Sequence, residues 1–433
     1  MGETTMSKEA IKTFILVVLV AISFLLSFIL WSYQPNYEFL YDADYVGEVD
    51  IGGNERKKNE LIKPNTIVFH ENGSSRGFKD MVEQQQFYQT LTSWELYDFK
   101  VKEIKDRPDY DRYAEIIFPM NVPSELLYNI FTFHDEVNLP DWTFSRVLLN
   151  LNEESKTVKL RIISSNHDAM IETTIEKSDA YRLIEAQMKE DRSLQSFAVL
   201  EESKDPVYVP IENLSLTTKT LVGSKINAEE FIDALFNNPN LVTHNAKEDY
   251  FTDGQRGMRI VQDGRLLQFI NPLQERYART NATELLDRSM EHINEHKGWT
   301  NNYYLEQIRP ATSTIKYRLY YEGYPVYNYG NLSIIEQAWR EQDLHQYNRS
   351  LFRIGNLLNK TEANILTGEQ VLAYLREDQS LKLENIQNVQ VGYILHVLDD
   401  DHSIMLEPNW FIQYEGEWIK FQEPSDDQDE GGD

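Results

Sequence analysis

The chain has 433 residues and carries 42 Lys and Arg against 70 Asp and Glu, a formal net charge of −28. That excess repels nucleic acid and anionic lipid headgroups, which makes both poor partners for the folded part. With no cysteine present, thiol catalysis, Cys-ligated zinc, iron–sulfur clusters and disulfides are excluded together.

Residues 14–31 read FILVVLVAISFLLSFILW without a charge. At ~1.5 Å per residue this run makes about 27 Å of helix, and extension to Thr13 and Tyr33 reaches the ~30 Å thickness of a bilayer core. The run exceeds the ~7–15 apolar residues of a signal peptide and lacks a small-residue cleavage site, so the expectation is a retained transmembrane anchor. Lys8 and Lys12 precede it and the next basic residue is Arg56. This asymmetry places residues 1–13 in the cytoplasm and everything after the span outside the cell membrane. Within the span Leu16, Val20, Ser23, Ser27 and Leu30 share one helix face. The serines are four apart and able to hydrogen-bond a neighbouring helix, so this face is the candidate contact with a membrane partner. An exported region of about 400 residues with no cystine suits a bacterial surface, because eukaryotic secreted domains generally use disulfides.

After Pro35 the pattern is α+β. Strand signals lie at Thr66–His70, Leu96–Ile104 and Glu115–Pro119. Helical spacing occurs at Met81–Trp94, Ser124–Phe133 and from Ser178 to about Asp191. Thr143–Leu151 and Thr157–Ser165 flank a turn-like Asn152-Glu153-Glu154-Ser155 and read as a hairpin. A linker is expected around Lys204-Asp205-Pro206 and Pro210. Beyond it, Asn227 with Glu230, Asn281 with Glu284, and Thr367 with Gln370 read as capping boxes opening three helices. Hairpin signals follow each helix: Asp253-Gly254 and Asp263-Gly264 after the first, and Tyr-Glu-Gly after the other two, in KYRLYYEGYPVYN from Lys316 and NWFIQYEGEWIKF from Asn409. The boxes are 54 and 86 residues apart, which argues for related helix-plus-sheet units without a solenoid period. The expected division is a cytoplasmic 1–13, an anchor at 14–33, an α+β domain at 36–203, a central unit at 204–300 and a C-terminal unit at 301–422. An acidic, disordered tail at 423–433 completes it.

Three motifs bear on chemistry. His292-Ile293-Asn294-Glu295-His296 matches H-x-x-E-H, in which two imidazoles one helical turn apart chelate zinc and the glutamate activates water. The ordinary reading is a pair of boundary histidines beside the core stripe of Leu286, Met290 and Ile293, favoured near a helix C-terminus. Gly73-Ser74-Ser75-Arg76-Gly77 matches the G-x-S-x-G nucleophile elbow, although too few strands precede it for a hydrolase sheet. Asp399-Asp400-Asp401-His402 has the composition of a cation site and the position of a turn between strands. No nucleotide loop, dinucleotide fingerprint or EF-hand loop occurs, and no cofactor is expected.

Several stretches, in order, resemble the YycH family: AEEFIDALFNNP at 228–239, the Asp-Gly hairpins ending in Asn271-Pro272, YPVYNYG, GEQVLAYL, VGYIL and LEPNWFIQYEGEWIKF. These are membrane-anchored regulators of low-GC Gram-positive bacteria. The resemblance implies three extracytoplasmic domains, the latter two similar to the companion protein YycI. It also implies regulation, in complex with YycI, of the essential sensor histidine kinase YycG, whose two-component system controls cell-wall metabolism. The sign of that regulation stays open, and the resemblance implies no catalytic residue. Two other readings remain, a surface zinc hydrolase using His292, Glu295 and His296, and a module binding an envelope ligand.

Overall fold

The computed structural model describes residues 49–105, 110–176, 178–212, 214–272, 280–398 and 402–423, together with Leu16, Leu19, Val20 and Ser23. The chain divides into two compact units, Met1–Gly47 and Glu48–Asp433. In the first, the four described residues are helical, and Leu16, Leu19 and Val20 are exposed. Among the described residues no helix is long and apolar enough to cross a membrane. Ser27 and Leu30 of the expected span face, Asp399–Asp401 and the tail beyond Glu423 lie outside the described residues.

The second unit is mixed α+β and rich in sheet. Its first sheet has ten strands, in the spatial order 207–210, 194–200, 74–78, 66–71, 112–123, 143–152, 157–164, 169–175, 95–103 and 132–133. The central strands Arg112–Pro123 and Thr143–Asn152 are buried at consecutive positions, which requires cover on both faces. One face carries the main core, to which helices Met81–Thr92 and Ser178–Met188 contribute Phe87, Leu91, Tyr181 and Ile184. The other holds a small cluster of Val68, Ile117 and Tyr208.

The expected hairpin forms between Thr143–Asn152 and Thr157–Ser164. Two expectations need correction. The segment expected to be helical over Ser124–Phe133 makes a 3-10 turn, Ser124–Leu126, and one α-turn, Leu127–Ile130. It then enters the strand Thr132–Phe133, because Phe131 turns extended and is buried. Part of the expected linker is itself structured, with Val207–Pro210 pairing antiparallel with Leu194–Leu200.

The second sheet takes its fourteen strands from residues 217–420. Strands on either side of residue 300 interleave: Leu266–Ile270 pairs with Asp343–Ser350, and Thr217–Lys225 lies between Ser403–Tyr414 and Phe352–Glu362. Both Tyr-Glu-Gly sequences form two-residue turns with left-handed backbone at each position, φ 47° and 85° at Glu322-Gly323 and 52° and 88° at Glu415-Gly416. That conformation matches the twist of paired strands and suits glycine at the second position. Of the three expected capped helices, Ala282–Glu295 and Gly368–Glu377 are full length. The one after Asn227 is a 3-10 turn followed by a single α-turn, Ile232–Leu235, with Pro239 soon after.

Residues 49–63 lie against the second sheet before the chain enters the first. Asn54 bridges Trp299, Arg56 N–H donates to Asn294 Oδ1 at 3.0 Å, and Leu305 N–H donates to Leu61 O at 2.8 Å. Lys63 is 4 % exposed; its Nζ donates to Gly323 O at 2.9 Å and sits over the rings of Tyr304 and Tyr320. This strap ties the two sheets into one body.

Candidate functional site

Among the described residues a cleft opens between the two sheets, with a volume of about 690 Å³. Arg318 forms part of its floor. The Arg318 Nε–H donates to Glu306 Oε1 at 2.5 Å, Nη1 donates to Val326 O at 3.0 Å, and the guanidinium lies 4.2 Å from the Tyr327 ring centroid. Tyr327 stacks on Phe411 with centroids 3.9 Å apart and accepts a hydrogen bond from Gln390 Nε2 at 2.8 Å. On the opposite wall Arg146 donates to the wholly buried Glu115 and to Pro206 O, each at 2.7 Å. Both arginines are thus committed to internal ion pairs and hold the walls. Tyr329 at the mouth is 84 % exposed, and Lys204, Arg309 and Lys420 line the space without an ion pair among the described residues.

The H-x-x-E-H residues do not assemble a metal site. His296 is buried, with Nε2 hydrogen-bonded to Tyr347 Oη at 3.1 Å, and His292 Nδ1 is 3.0 Å from Gln337 Nε2. Glu295 faces solvent. The two imidazoles meet edge to face, with centroids 5.3 Å apart, in a box that includes Trp339 and Tyr347. Burial, with Arg349 adding to it, pushes His292 down to about 4. Burial, His292 and Arg349 hold His296 well below its ordinary value. Among the described residues no group of three or more His, Asp or Glu is placed to hold a metal ion.

Arg349 itself is fully buried and, among the described residues, has no carboxylate partner. It donates to Gly298 O at 2.9 Å, Tyr347 Oη at 3.0 Å and Thr300 Oγ1 at 2.9 Å, just past the C-terminal end of helix Ala282–Glu295. The partial negative charge of that helix end supplies what a carboxylate otherwise would.

Ser75, the central serine of G-x-S-x-G, lies in strand Ser74–Phe78 and not on an elbow. Asn72-Gly73 is the left-handed two-residue turn of a hairpin, φ 53° and 76°, and this Asn-Gly signal is the one that locates the motif. Register sets Ser75 opposite His70, whose Nδ1 is 3.1 Å from its Oγ, while His70 Nε2 is 3.5 Å from Glu115 Oε2. The contact follows from strand pairing. Tyr113 stacks on the His70 ring at 4.3 Å.

Comparison with known proteins bears on the whole chain. The family model of the YycH N-terminal domain matches residues 9–193, and that of the YycH C-terminal domain matches 204–426. The chain belongs to the YycH family. A curated YycH relative, the two-component system WalR/WalK regulatory protein of Bacillus subtilis (strain 168), is 23% identical over 446 residues, covering 96% of each chain. The crystal structure of YycH from Bacillus subtilis superposes with a TM-score of 0.69 at 19% identity, over 86% of this chain and 98% of that one. The YycH fold is therefore shared, and a regulatory role in a two-component system goes with membership of the family. The inter-sheet cleft, invisible in the sequence, is built from strands up to 300 residues apart, and no local signal could have located it.

Proposed function

We propose that this protein is a single-pass membrane regulator of the sensor histidine kinase YycG, acting in a complex with YycI to set the output of a two-component system that controls cell-wall metabolism. The observation that carries this reading is the end-to-end match to a protein named for WalR/WalK regulation, 96% of each chain. The uncharged run at 14–31, with Lys8 and Lys12 before it, supports a retained anchor with a cytoplasmic N-terminus and an exterior of acidic, cysteine-free domains. In this reading Leu16, Val20, Ser23, Ser27 and Leu30 pack beside the kinase's own helices. Such packing shifts a signalling equilibrium only by binding one of its two states better than the other. No catalytic step, metal or cofactor is required.

Site-specific photo-crosslinking in cells tests it. Probes on this face are expected to capture the kinase, while probes on the opposite face capture lipid. The double variant Ser23→Leu/Ser27→Leu should lose the association; if it still co-purifies fully with the kinase, the assigned face is wrong. A second reading, sensing of an envelope ligand by the exterior, is favoured by the 690 Å³ cleft. With −28 on the chain, anionic wall polymers would need bridging divalent cations.

A further inference from the structure

Between Leu61 and Asn65 the chain passes from the second sheet to the first. Leu61 O accepts from Leu305 N–H at 2.8 Å, Asn65 N–H donates to Ile117 O at 2.7 Å, and Asn65 O accepts from Gln84 Nε2 at 3.2 Å. Lys63 lies midway. Leu61, Ile62 and Lys63 are 0, 3 and 4 % exposed, so the crossing is packed over and not laid on the surface. Lys63 Nζ donates at 2.9 Å to Gly323 O, in the Glu322-Gly323 turn of the second sheet. That turn abuts helix Met81–Thr92 of the first sheet, since a Cβ on Gly323 would fall 2.5 Å from Met81 Cβ. One amine therefore sits where strap, turn and helix meet.

A charged amine is poorly served there. An ammonium carries three N–H donors, and Lys63 meets one carbonyl oxygen and the faces of Tyr304 and Tyr320, at 5.1 and 4.7 Å. Ring faces attract a cation, but the Tyr304 ring already serves Arg56, 4.9 Å from its centroid. The carboxylates of the elements packed around Lys63 are engaged elsewhere. Glu306 accepts from Arg318, Glu322 pairs with Lys219, and Asp80 accepts from Val82 N–H at the start of the helix. On the strap itself Glu60 accepts from Lys57 N–H, and Lys58 pairs with Asp287. Burial therefore prevails and holds the Lys63 amine down to about 7.

We propose that Lys63 is a proton-operated latch: its neutral amine holds the crossing at 61–65 against the Glu322-Gly323 turn, and protonation releases the crossing locally while both sheets stay folded. A released amine regains its solvated value of 10.5. Between that value and 7 the released form binds more protons than the latched form, so release grows as the pH falls. Below 7 both forms are charged and the effect levels off. From pH 8 to pH 6 the released fraction gains about tenfold. The latch thus couples the hold of strap 49–63 on the two sheets to the surrounding pH, whichever partner the protein regulates.

The chain has no cysteine, so a single introduced thiol reports alone. The test uses the full chain in lipid nanodiscs. Ile62→Cys reads the crossing, and Ile162→Cys, fully buried in the core of the first sheet, reads global unfolding. Leu241→Cys, at a position 63 % exposed, gives the rate of an open thiol at each pH. The modification rate of Ile62→Cys divided by that of Leu241→Cys should rise about tenfold from pH 8 to pH 6 and level off below. Ile162→Cys should stay unmodified throughout, and Lys63→Met, neutral at any pH, should remove the dependence. The levelling off is read without that variant, so the profile decides even if Lys63→Met does not fold. Three results overturn the latch: a ratio unchanged between pH 8 and pH 6, a dependence that survives Lys63→Met, or Ile162→Cys modified in parallel, which would make the effect one of whole-molecule stability.

Discussion

His292 and His296 are core residues whose neutral rings are held by burial and by Arg349. Their depressed values mean that the unfolded chain binds protons which the folded chain refuses. The stability this withholds is fully present above the unfolded value near 6.5 and is lost as the pH falls toward about 4. Lys63, held near 7 by burial, acts in the same direction at higher pH. Below about 7 it is charged in both states, and the folded form gains as the pH rises toward the unfolded value of about 10.4. The urea midpoint should therefore climb from pH 4.5 to pH 8, and His292→Gln should flatten the acid limb; a midpoint constant over that range would contradict the assignment. Arg349→Met strands Gly298 O and Thr300 Oγ1 and removes the cation at a helix end, with an expected loss of about 3–5 kcal/mol in urea unfolding. Arg349→Lys keeps the charge without the fork and should fall between. From sequence alone the H-x-x-E-H spacing was legible, and so was the core stripe beside it. What could not be read was that Tyr347 and Gln337, about fifty residues away, take the imidazole nitrogens.

Some elements with local signals came out where the residues placed them: Asn281 and Thr367 cap full helices, and the Glu-Gly pairs make hairpin turns with left-handed backbone. Asn227, by contrast, opens only a 3-10 turn and one α-turn, and Ser124–Phe133 does not form a full helix. Ser75 shows the cost of overlooking one such signal, since Asn72-Gly73 marks a hairpin and thereby removes the elbow. Helix Ala282–Glu295 has a second cap from outside its own half, where Ala282 N–H donates to Glu125 Oε2 at 2.8 Å beside the Asn281 Oδ1 bond to Glu284 N–H at 2.7 Å. Asn281→Ala should cost about 1 kcal/mol. The double variant with Glu125→Ala should cost measurably more than the sum of the two, because either cap partly covers for the other; strict additivity in a double-mutant cycle would show them independent. The two Glu-Gly turns offer an internal comparison. A Cβ at Gly416 meets nothing within 4 Å, whereas one at Gly323 comes within 2.5 Å of Met81 Cβ. Gly416→Ala should cost about 1 kcal/mol in backbone strain and Gly323→Ala clearly more, as read by thermal unfolding.

At the scale of the molecule, the α+β class and the succession of hairpins were legible, because alternation and turn residues are local. Long-range pairing was not: nothing near residue 266 announces a partner at 350, and nothing in 49–63 announces that it straps the second sheet. The charge acquires a location as well. Of the −28, −6 falls on residues 423–433, so the body that carries the cleft is itself acidic. On the proposed reading this regulator changes a kinase by contact, through the apolar segment at 14–33, the exterior, or both. The phosphorylated fraction of the response regulator in living cells tests this most directly, compared among cells lacking this protein, cells restored with the full chain, and cells given residues 36–433 tethered by an unrelated anchor. The account predicts that removal shifts the phosphorylated fraction and that the full chain restores it, while the foreign anchor restores it at best partly. A fraction unchanged by removal of the protein would contradict it.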